Sequence, residues 1–403
     1  MTYRVAIFCP DQHIPYDGTT PEEHGIGGGI TARVRMGRAL ASQGHQVKML
    51  VNCPARSEHD GVEYIPLSES PGPAPEVLIV TTSGGAYDVS AARDLDWNPR
   101  FTALWVHGLD EPGGWKDLSV DAVYAVSNFV CDGIHKDWLP DGFPALVTYN
   151  GLDDAAFRQE ESDPPVRDPF ELVYLSHPSK GLDAARALVR RLRTVDERFH
   201  LVVFGGESLW GQADEPRAGE PGIQYAGRIG QRRLARELMA AGFAVALQSR
   251  LEPFGFAVTE AMRGGCVVLA SPVGAHPELI HDGVDGLLIG GDPNSPTALG
   301  SAVERILACL RDPSMTAGLR AAARRVPWTA DLAARTWTGH WDQVLDPRGA
   351  IVSTGTCPRC GSPTTELADG EHCTGCGRFQ QRSRTLDVPR HQQPMSEPNT
   401  SVE

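Results

Sequence analysis

Apolar runs alternate with segments of helical periodicity through the first 150 residues of the chain. The apolar runs predict buried strands, and the amphipathic segments between them, notably Ile30–Gln43 and Asn128–Lys136, predict helices. Such alternation is typical of a parallel sheet covered by helices on both faces. The predicted strands are Arg4–Phe8, Val47–Val51, Val77–Val80, Thr102–Val106, Ala122–Val126 and Leu146–Tyr149.

A second alternating unit follows an acidic, proline-bearing stretch, 154–168, which predicts a linker. We therefore expect two doubly wound, Rossmann-like α/β domains, at 1–153 and 169–328. The strands predicted in the second unit are Leu172–Ser176, His200–Phe204, Ile223–Tyr225, Phe243–Leu247, Val267–Ala270 and Leu287–Ile289, and its helices include Leu182–Leu192, Gln231–Met239, Pro253–Arg263 and Pro296–Leu310.

The segment from Glu252 to Glu260 carries the strongest indication of chemistry. The apolar run before it predicts a strand, Pro253 and Gly255 predict a turn, and the residues after it predict a helix. Glu252 then lies on the turn, and Glu260 lies about two turns into the helix. A helix N-terminus favours an anion such as a diphosphate. The two carboxylates are suited to sugar hydroxyls and to a ribose diol, respectively.

This segment resembles the glutamate–seven–glutamate motif of retaining GT-B glycosyltransferases, family 4 in particular. Residues 264–271 and the upstream sequence Asn150-Gly151-Leu152-Asp153 follow that family's order, and the resemblance covers roughly residues 1–345. It implies an α/β GT-B fold, with two Rossmann-like domains facing a cleft and residues 329–346 crossing back as a helix onto the first domain. It also implies a nucleotide diphosphate sugar as donor, bound in part by Phe254, Gly255 and Phe256.

Two elements of the first domain are candidates for the same cleft. Gly28 and Gly29 open a predicted helix, where glycines let the backbone approach a ligand. His107 follows a predicted strand, and ligands of open α/β sheets bind beyond the carboxyl ends of strands. The resemblance implies that the glycine loop borders donor and acceptor and that His107 lies near the sugar. A flexible turn and a structural histidine are the alternatives.

Lys180 lies on the loop after the first strand of the second domain, where the resemblance implies a grip on the donor diphosphate. The family also has an arginine on this loop, but the chain has Leu175 there. A single ammonium can still neutralise charge that develops on a leaving group. We expect Lys180 and Glu252, with His107, to be the catalytic residues, and we expect no catalytic divalent metal.

Four cysteines after residue 355 form two Cys-x-x-Cys pairs separated by twelve residues. Thiolates at this spacing suit tetrahedral zinc, and their likeness is to a zinc ribbon, predicted at 355–380. All four positions would be filled by protein, so we expect structural zinc; a pair of redox disulfides or an iron site is the alternative. The predicted ligands are Cys357, Cys360, Cys373 and Cys376.

Composition adds limits on compartment and partners. The chain has 403 residues, of which 41% are hydrophobic, and its formal net charge is −14. So acidic a chain is a poor non-specific binder of nucleic acid or anionic lipid. No signal peptide and no membrane-spanning run are visible, so we expect a cytoplasmic protein. Residues 387–403 are polar and are predicted to be disordered.

Three functions remain in competition. The first is transfer of a sugar from a nucleotide diphosphate sugar to the hydroxyl of a small acceptor. The second is glycosylation of a macromolecule, a modified DNA base or a peptide, recruited through the zinc ribbon and its basic flank. The third is a non-catalytic protein that binds a nucleotide sugar or a partner. The sequence leaves the sugar, the base and the acceptor open.

Overall fold

The computed structural model describes residues 1–82, 88–217, 219–346 and 353–381. The predicted tail at 387–403 lies outside these ranges. Among the residues within them, no helix is long and apolar enough to cross a membrane.

An eight-stranded sheet forms the centre of the first domain, in the order β3-β4-β2-β1-β5-β6-β7-β8. All neighbouring strands are parallel except β3 and β4, and the core strands are almost fully buried, as continuous apolar runs predict. The strands are β1 (Arg4–Phe8), β2 (Gln46–Val51), β3 (Ser57–His59), β4 (Val62–Pro66), β5 (Val77–Thr81), β6 (Phe101–Val106), β7 (Ala122–Ala125) and β8 (Ala145–Val147); the helices are α1 (Thr20–Glu23), α2 (Gly28–Ser42) and α3 (Asn128–Asp137).

A six-stranded parallel sheet forms the second domain, in the order β11-β10-β9-β12-β13-β14. Its strands are β9 (Asp168–Leu175), β10 (His200–Phe204), β11 (Ile223–Gly227), β12 (Ala241–Ala246), β13 (Val267–Ala270) and β14 (Leu287–Leu288). Helix α4 (Asp154–Glu160) precedes this sheet, and its other helices are α5 (Leu182–Val195), α6 (Gln231–Ala240), α7 (Phe256–Gly264), α8 (His276–Leu279), α9 (Pro296–Arg311) and α10 (Pro313–Ala323).

Two local expectations differ from the structure. The stretch predicted as a linker contains α4, because the Asp153 side chain caps the helix by accepting the N–H of Ala155 at 2.9 Å. Helix α7 begins at Phe256 and not at Pro253, because Gly255 has φ +112° and cannot be helical. Glu260 therefore lies about one turn into the helix, not two.

The chain returns to the first domain through α11 (Ala330–Leu345), which packs along α2. Trp337 and Trp341 are fully buried, and their indole N–H groups donate to Thr148 and Tyr124 at 3.0 Å each. These contacts attach the helix to the sheet of the first domain. The domain boundaries at 153 and 169 remain predictions. The last strand of the first sheet ends at Val147, and the first strand of the second sheet begins at Asp168.

A small antiparallel sheet follows, which we call the four-cysteine module (residues 353–381). Its strands run in chain order as β15 (Ser353–Thr356), β16 (Pro363–Glu366), β17 (Gly370–Cys373) and β18 (Phe379–Gln381). The module lies against β8, the edge strand of the first domain, where the N–H of Val147 donates to the carbonyl of Gly377 at 3.0 Å. An otherwise open sheet edge is thereby covered.

Candidate active site

A cleft of about 820 Å³ lies between the two domains and is lined by residues of both. It contains the ends of strands β6, β9 and β10 and the start of α2, which agrees with the rule that open parallel sheets bind ligands beyond the carboxyl ends of their strands. Every residue that the sequence predicted for the donor and for catalysis lies along this one cleft: Gly28, Gly29, His107, Lys180, Glu252, Phe254, Gly255, Phe256 and Glu260.

The cleft loop (Glu252–Gly255) is fixed by its glycine. Gly255 takes a left-handed conformation, and a Cβ there would lie 3.3 Å from both His276 Cδ2 and Leu279 Cδ1. The turn brings the start of α7 to the cleft, with Phe256 and Ala257 on its wall. The first amides of a helix have no intrahelical acceptor, so this end offers N–H donors and positive potential to an anion.

Glu252 and Lys180 lie side by side on the second-domain wall of the cleft. Lys180 Nζ donates to Glu252 Oε2 at 2.8 Å, and Gln248 Nε2 donates to the same oxygen at 3.3 Å. Burial would raise the pKa of Glu252, but the charge of Lys180 and its hydrogen bond offset this effect and hold the pKa below its usual value. The pair is therefore a charged carboxylate and ammonium, side by side and next to the helix terminus.

Glu260 has a partner that the sequence did not reveal. Arg35, on α2 of the first domain, donates from Nη2 to Glu260 Oε1 at 2.5 Å and also binds Gln231. Its guanidinium lies 5.1 Å from the centre of the Phe256 ring. Arg35 is one of two arginines buried on α2, and the sequence of α2 carries no local signal that it reaches α7.

His107 is buried and borders the cleft. Its ring lies 4.4 Å from the Trp105 ring, and among the residues that the structure describes no atom pairs with its Nε2. Burial, with a smaller contribution from the charge of Arg33, lowers the pKa of His107 to about 3. The imidazole is therefore neutral near pH 7, with a ring nitrogen able to bind a hydroxyl.

Trp210 is a second cleft residue that sequence reasoning missed. Its ring stacks on His177 with 3.7 Å between centroids and 10° between planes. The Arg250 guanidinium lies 5.1 Å from the same ring, and the Lys180 ammonium lies 5.9 Å from it. The Trp210 ring thus lies beside two cationic groups of the cleft, Arg250 and Lys180.

The four cysteines lie apart from the cleft, in the four-cysteine module. Their sulfur atoms all lie within 4.8 Å of one another, and none forms a disulfide. The pairs Cys357–Cys376 and Cys360–Cys373 have sulfur separations of 3.9 and 3.4 Å, near the roughly 3.8 Å expected for tetrahedral zinc thiolates. The amides of Gly375 and Cys376 point at Cys373 Sγ. This donor set fits zinc.

Two α/β domains that face each other across a cleft define a GT-B-like fold, which confirms the predicted fold class. Sucrose-phosphate synthase from Thermosynechococcus elongatus superposes with a TM-score of 0.62 at 18% identity, covering 85% of this chain and 99% of that one. The Anabaena protein HepE, solved with UDP and glucose, gives 0.58 at 14% identity, covering 85% and 100%. At these identities the likeness shows the fold alone.

Sequence comparison shows what the second domain is similar to. Residues 170–309 match the family described as "Glycosyl transferases group 1". Glycogen synthase from Xanthomonas oryzae pv. oryzae is 27% identical over 256 residues, which are 59% of this chain and 48% of that enzyme. D-inositol 3-phosphate glycosyltransferase from Xylanimonas cellulosilytica is 32% identical over 180 residues, 42% of each chain. The second domain is thus similar in sequence to the group 1 glycosyltransferases, and the chain spans about half the length of the curated relatives it matches.

Proposed function

We propose that the chain is a retaining glycosyltransferase, similar to family 4, that moves a sugar from a nucleotide diphosphate sugar to an acceptor hydroxyl. The observation that carries this proposal is the Lys180–Glu252 pair, held at 2.8 Å beside the N-terminus of α7 in the interdomain cleft. A cation, a largely buried carboxylate and free helix amides are together what a diphosphate with an attached sugar requires.

The donor occupies the second-domain side of the cleft. Its diphosphate binds the first amides of α7 and the ammonium of Lys180. When the phosphate engages Lys180, Glu252 is released to accept hydrogen bonds from hydroxyls of the donor sugar. Glu260 binds the ribose diol through Oε2, since Arg35 holds Oε1.

The acceptor enters from the first-domain side, past Gly28, Gly29 and His107. Its hydroxyl oxygen attacks the anomeric carbon on the face from which the diphosphate leaves. The bond between that carbon and the phosphate oxygen breaks, the new glycosidic bond forms, and the departing phosphate oxygen takes the acceptor proton. A neutral His107 with a pKa of about 3 is too weak a base for that proton, so its role is to bind a sugar hydroxyl. Lys180 and the helix terminus supply the positive charge, and the proposal needs no divalent cation.

For the four-cysteine module we propose a structural zinc held by Cys357, Cys360, Cys373 and Cys376. Two arginines of the module, Arg359 and Arg378, form ion pairs with Asp132 on α3 of the first domain. These charges are engaged within the chain, which supports a packing role over recruitment of DNA or a peptide. Deletion of residues 350–403 should then not selectively abolish transfer while sparing donor hydrolysis.

A panel of UDP, GDP, ADP and TDP and their glucose conjugates, scored by thermal shift and by release of nucleoside diphosphate, tests the proposal. We expect one base to stabilise the chain and its sugar conjugate to turn over. Glu252→Ala should abolish turnover. Binding without turnover would instead support the non-catalytic alternative, and no shift with any nucleotide would refute donor binding.

A further inference from the structure

We propose that the four-cysteine module positions the cleft loop by holding the first turn of α3, to which the second domain binds. Ser127, Asn128 and Tyr149 are the positioning residues. The proposal concerns contacts within the chain; it rests on the proposed function only where it assigns the cleft loop to the donor.

The module contacts α3 through its last cysteine, Cys376, and through Phe379, three residues further on. The N–H of Phe379 donates to Asn128 Oδ1 at 3.0 Å, and Asn128 Nδ2 returns a hydrogen bond to the carbonyl of Phe379 at 3.2 Å. The carbonyl of Cys376 accepts the thiol of Cys131 at 3.4 Å. Phe379 is 5% exposed, and its ring meets the Tyr149 ring edge-on at 5.3 Å. Ligation of Cys376 would fix the chain that makes these contacts.

The same turn of α3 binds the cleft loop of the second domain. Ser127, the capping residue of α3, is fully buried, and its hydroxyl donates to the carbonyl of Pro253 at 2.6 Å. The ring of Tyr149 lies 6.2 Å from the ring of Phe254. One hydrogen bond and one ring contact therefore join α3 and its neighbour directly to the loop that carries Glu252.

Glu278 of α8 completes the arrangement. Its carboxylate accepts the backbone N–H groups of Asn128 and Phe129 at 3.0 and 2.7 Å, and the hydroxyl of Tyr149 at 2.5 Å. Asn128 Nδ2 also lies 3.1 Å from the Tyr149 oxygen. Asn128 thus binds the module through its side chain and the second domain through its backbone. Carboxylate at a helix N-terminus is favourable, so this is a strong contact between the domains.

The state of the module must therefore influence the cleft loop. A module of 29 residues has too small a core to fold without its metal. When the module unfolds, the side-chain amide of Asn128 and the ring of Tyr149 lose their contacts with Phe379. The same two residues also contact Glu278 and the cleft loop, so those contacts with the second domain lose their support. If the module served only to cover β8, unfolding of the module would expose the backbone of that strand and leave the cleft loop unchanged.

Hydrogen–deuterium exchange of the full chain, with zinc bound and after chelation, separates these outcomes without any need for turnover. We expect peptides covering 127–131 and 250–258 to exchange at least about tenfold faster after chelation, since Asn128 loses both hydrogen bonds to Phe379 and the turn of α3 that holds the cleft loop is no longer fixed. Peptides from β9 and β13 should not change. Faster exchange confined to 353–381 and β8 would overturn the proposal, and so would a purified chain that contains no zinc.

Variants keep the test independent of metal removal. Phe379→Ala leaves all four cysteines in place and should accelerate exchange at 250–258, and Phe379→Leu should restore protection by refilling the contact with Tyr149. Gln380→Ala is the matched control, because its side chain is exposed on the same strand. In a donor assay, Phe379→Ala should raise the donor KM several-fold and leave the acceptor KM unchanged. Equal exchange in Phe379→Ala and Gln380→Ala would refute the proposal. A proposed donor activity that fails the nucleotide panel would leave this exchange result standing.

Discussion

Replacement of Lys180 by methionine removes the Lys180 ammonium from the proposed diphosphate site and roughly keeps the length of the side chain. It leaves Glu252 buried, with 13% of its side chain exposed, and with Gln248 as its remaining hydrogen-bond donor at 3.3 Å. The pKa of Glu252 then rises, because burial is no longer opposed by an adjacent positive charge. The leaving diphosphate then meets either an unpaired carboxylate or a protonated one in place of the Lys180–Glu252 ion pair.

The magnitude has two parts. Breaking a buried ion pair costs about 3–5 kcal/mol, and because Lys180 and Glu252 retain 20% and 13% exposure we expect about 2 kcal/mol of lost stability. Removing a group that stabilises charge in a transition state lowers kcat by about 10²–10³-fold. Lys180→Met should therefore fold and lose about 3–4 kcal/mol of transition-state stabilisation.

The assay is release of nucleoside diphosphate from the nucleotide sugar selected by the panel, alongside urea unfolding. Lys116→Met is the control, since Lys116 is an exposed lysine paired with Glu111 at 2.7 Å outside the cleft. We expect the control to stay within about threefold of the parent chain, as surface ion pairs contribute little. A folded Lys180→Met variant with turnover equally close to the parent would show that the Lys180 ammonium does not stabilise the leaving diphosphate.

Three further predictions concern stability and metal binding. Gly255→Ala should lower the free energy of unfolding by about 1–3 kcal/mol, measured by urea unfolding, because of its positive φ and its close neighbours; Gly300→Ala in α9, where a Cβ meets open space, should stabilise the chain instead. His107 and His340 have pKa values lowered to about 3 and 4 by burial, so only the unfolded chain gains their protons as pH falls from 7 to 5, and each histidine should lower the free energy of unfolding by about 2 kcal/mol. Unfolding of His340→Gln, measured in urea at both pH values, should show a smaller loss of stability over that range. An unchanged loss would contradict the assignment of this pH dependence to the burial of His340. Chelation of zinc should unfold the four-cysteine module, seen as sensitivity to protease at 353–381, and identical digestion with and without chelator would contradict zinc ligation.

Structural features that depend on residues close together in the sequence could be predicted. An apolar strand, a turn with Gly255 and a following carboxylate are local signals, and they place Glu252 on the cleft loop as expected. The two Cys-x-x-Cys pairs are local in the same way, and their sulfurs converge. Two predictions from local sequence were wrong, each because of one residue. Helix α7 begins at Phe256, after Gly255, and not at Pro253. The stretch predicted as a linker contains α4, which Asp153 caps.

Contacts between distant segments could not be predicted. Arg35 and Glu260 are 225 positions apart, and nothing in α2 indicates that one of its buried arginines reaches α7. Ser127 and Pro253 are 126 positions apart and join two domains whose relative placement the strand pattern does not specify. Trp210 lies in a polar segment without periodicity, so its stack on His177 had no signal in the sequence.

A crystal structure of the full chain soaked with the nucleotide sugar selected by the panel would show directly where the donor binds. We expect the diphosphate within hydrogen-bond distance of Lys180 Nζ and of the first amides of α7, with the Glu252 carboxylate accepting a hydrogen bond from a hydroxyl of the sugar. A diphosphate bound elsewhere, with Lys180 still paired to Glu252 as in the free chain, would contradict this expectation.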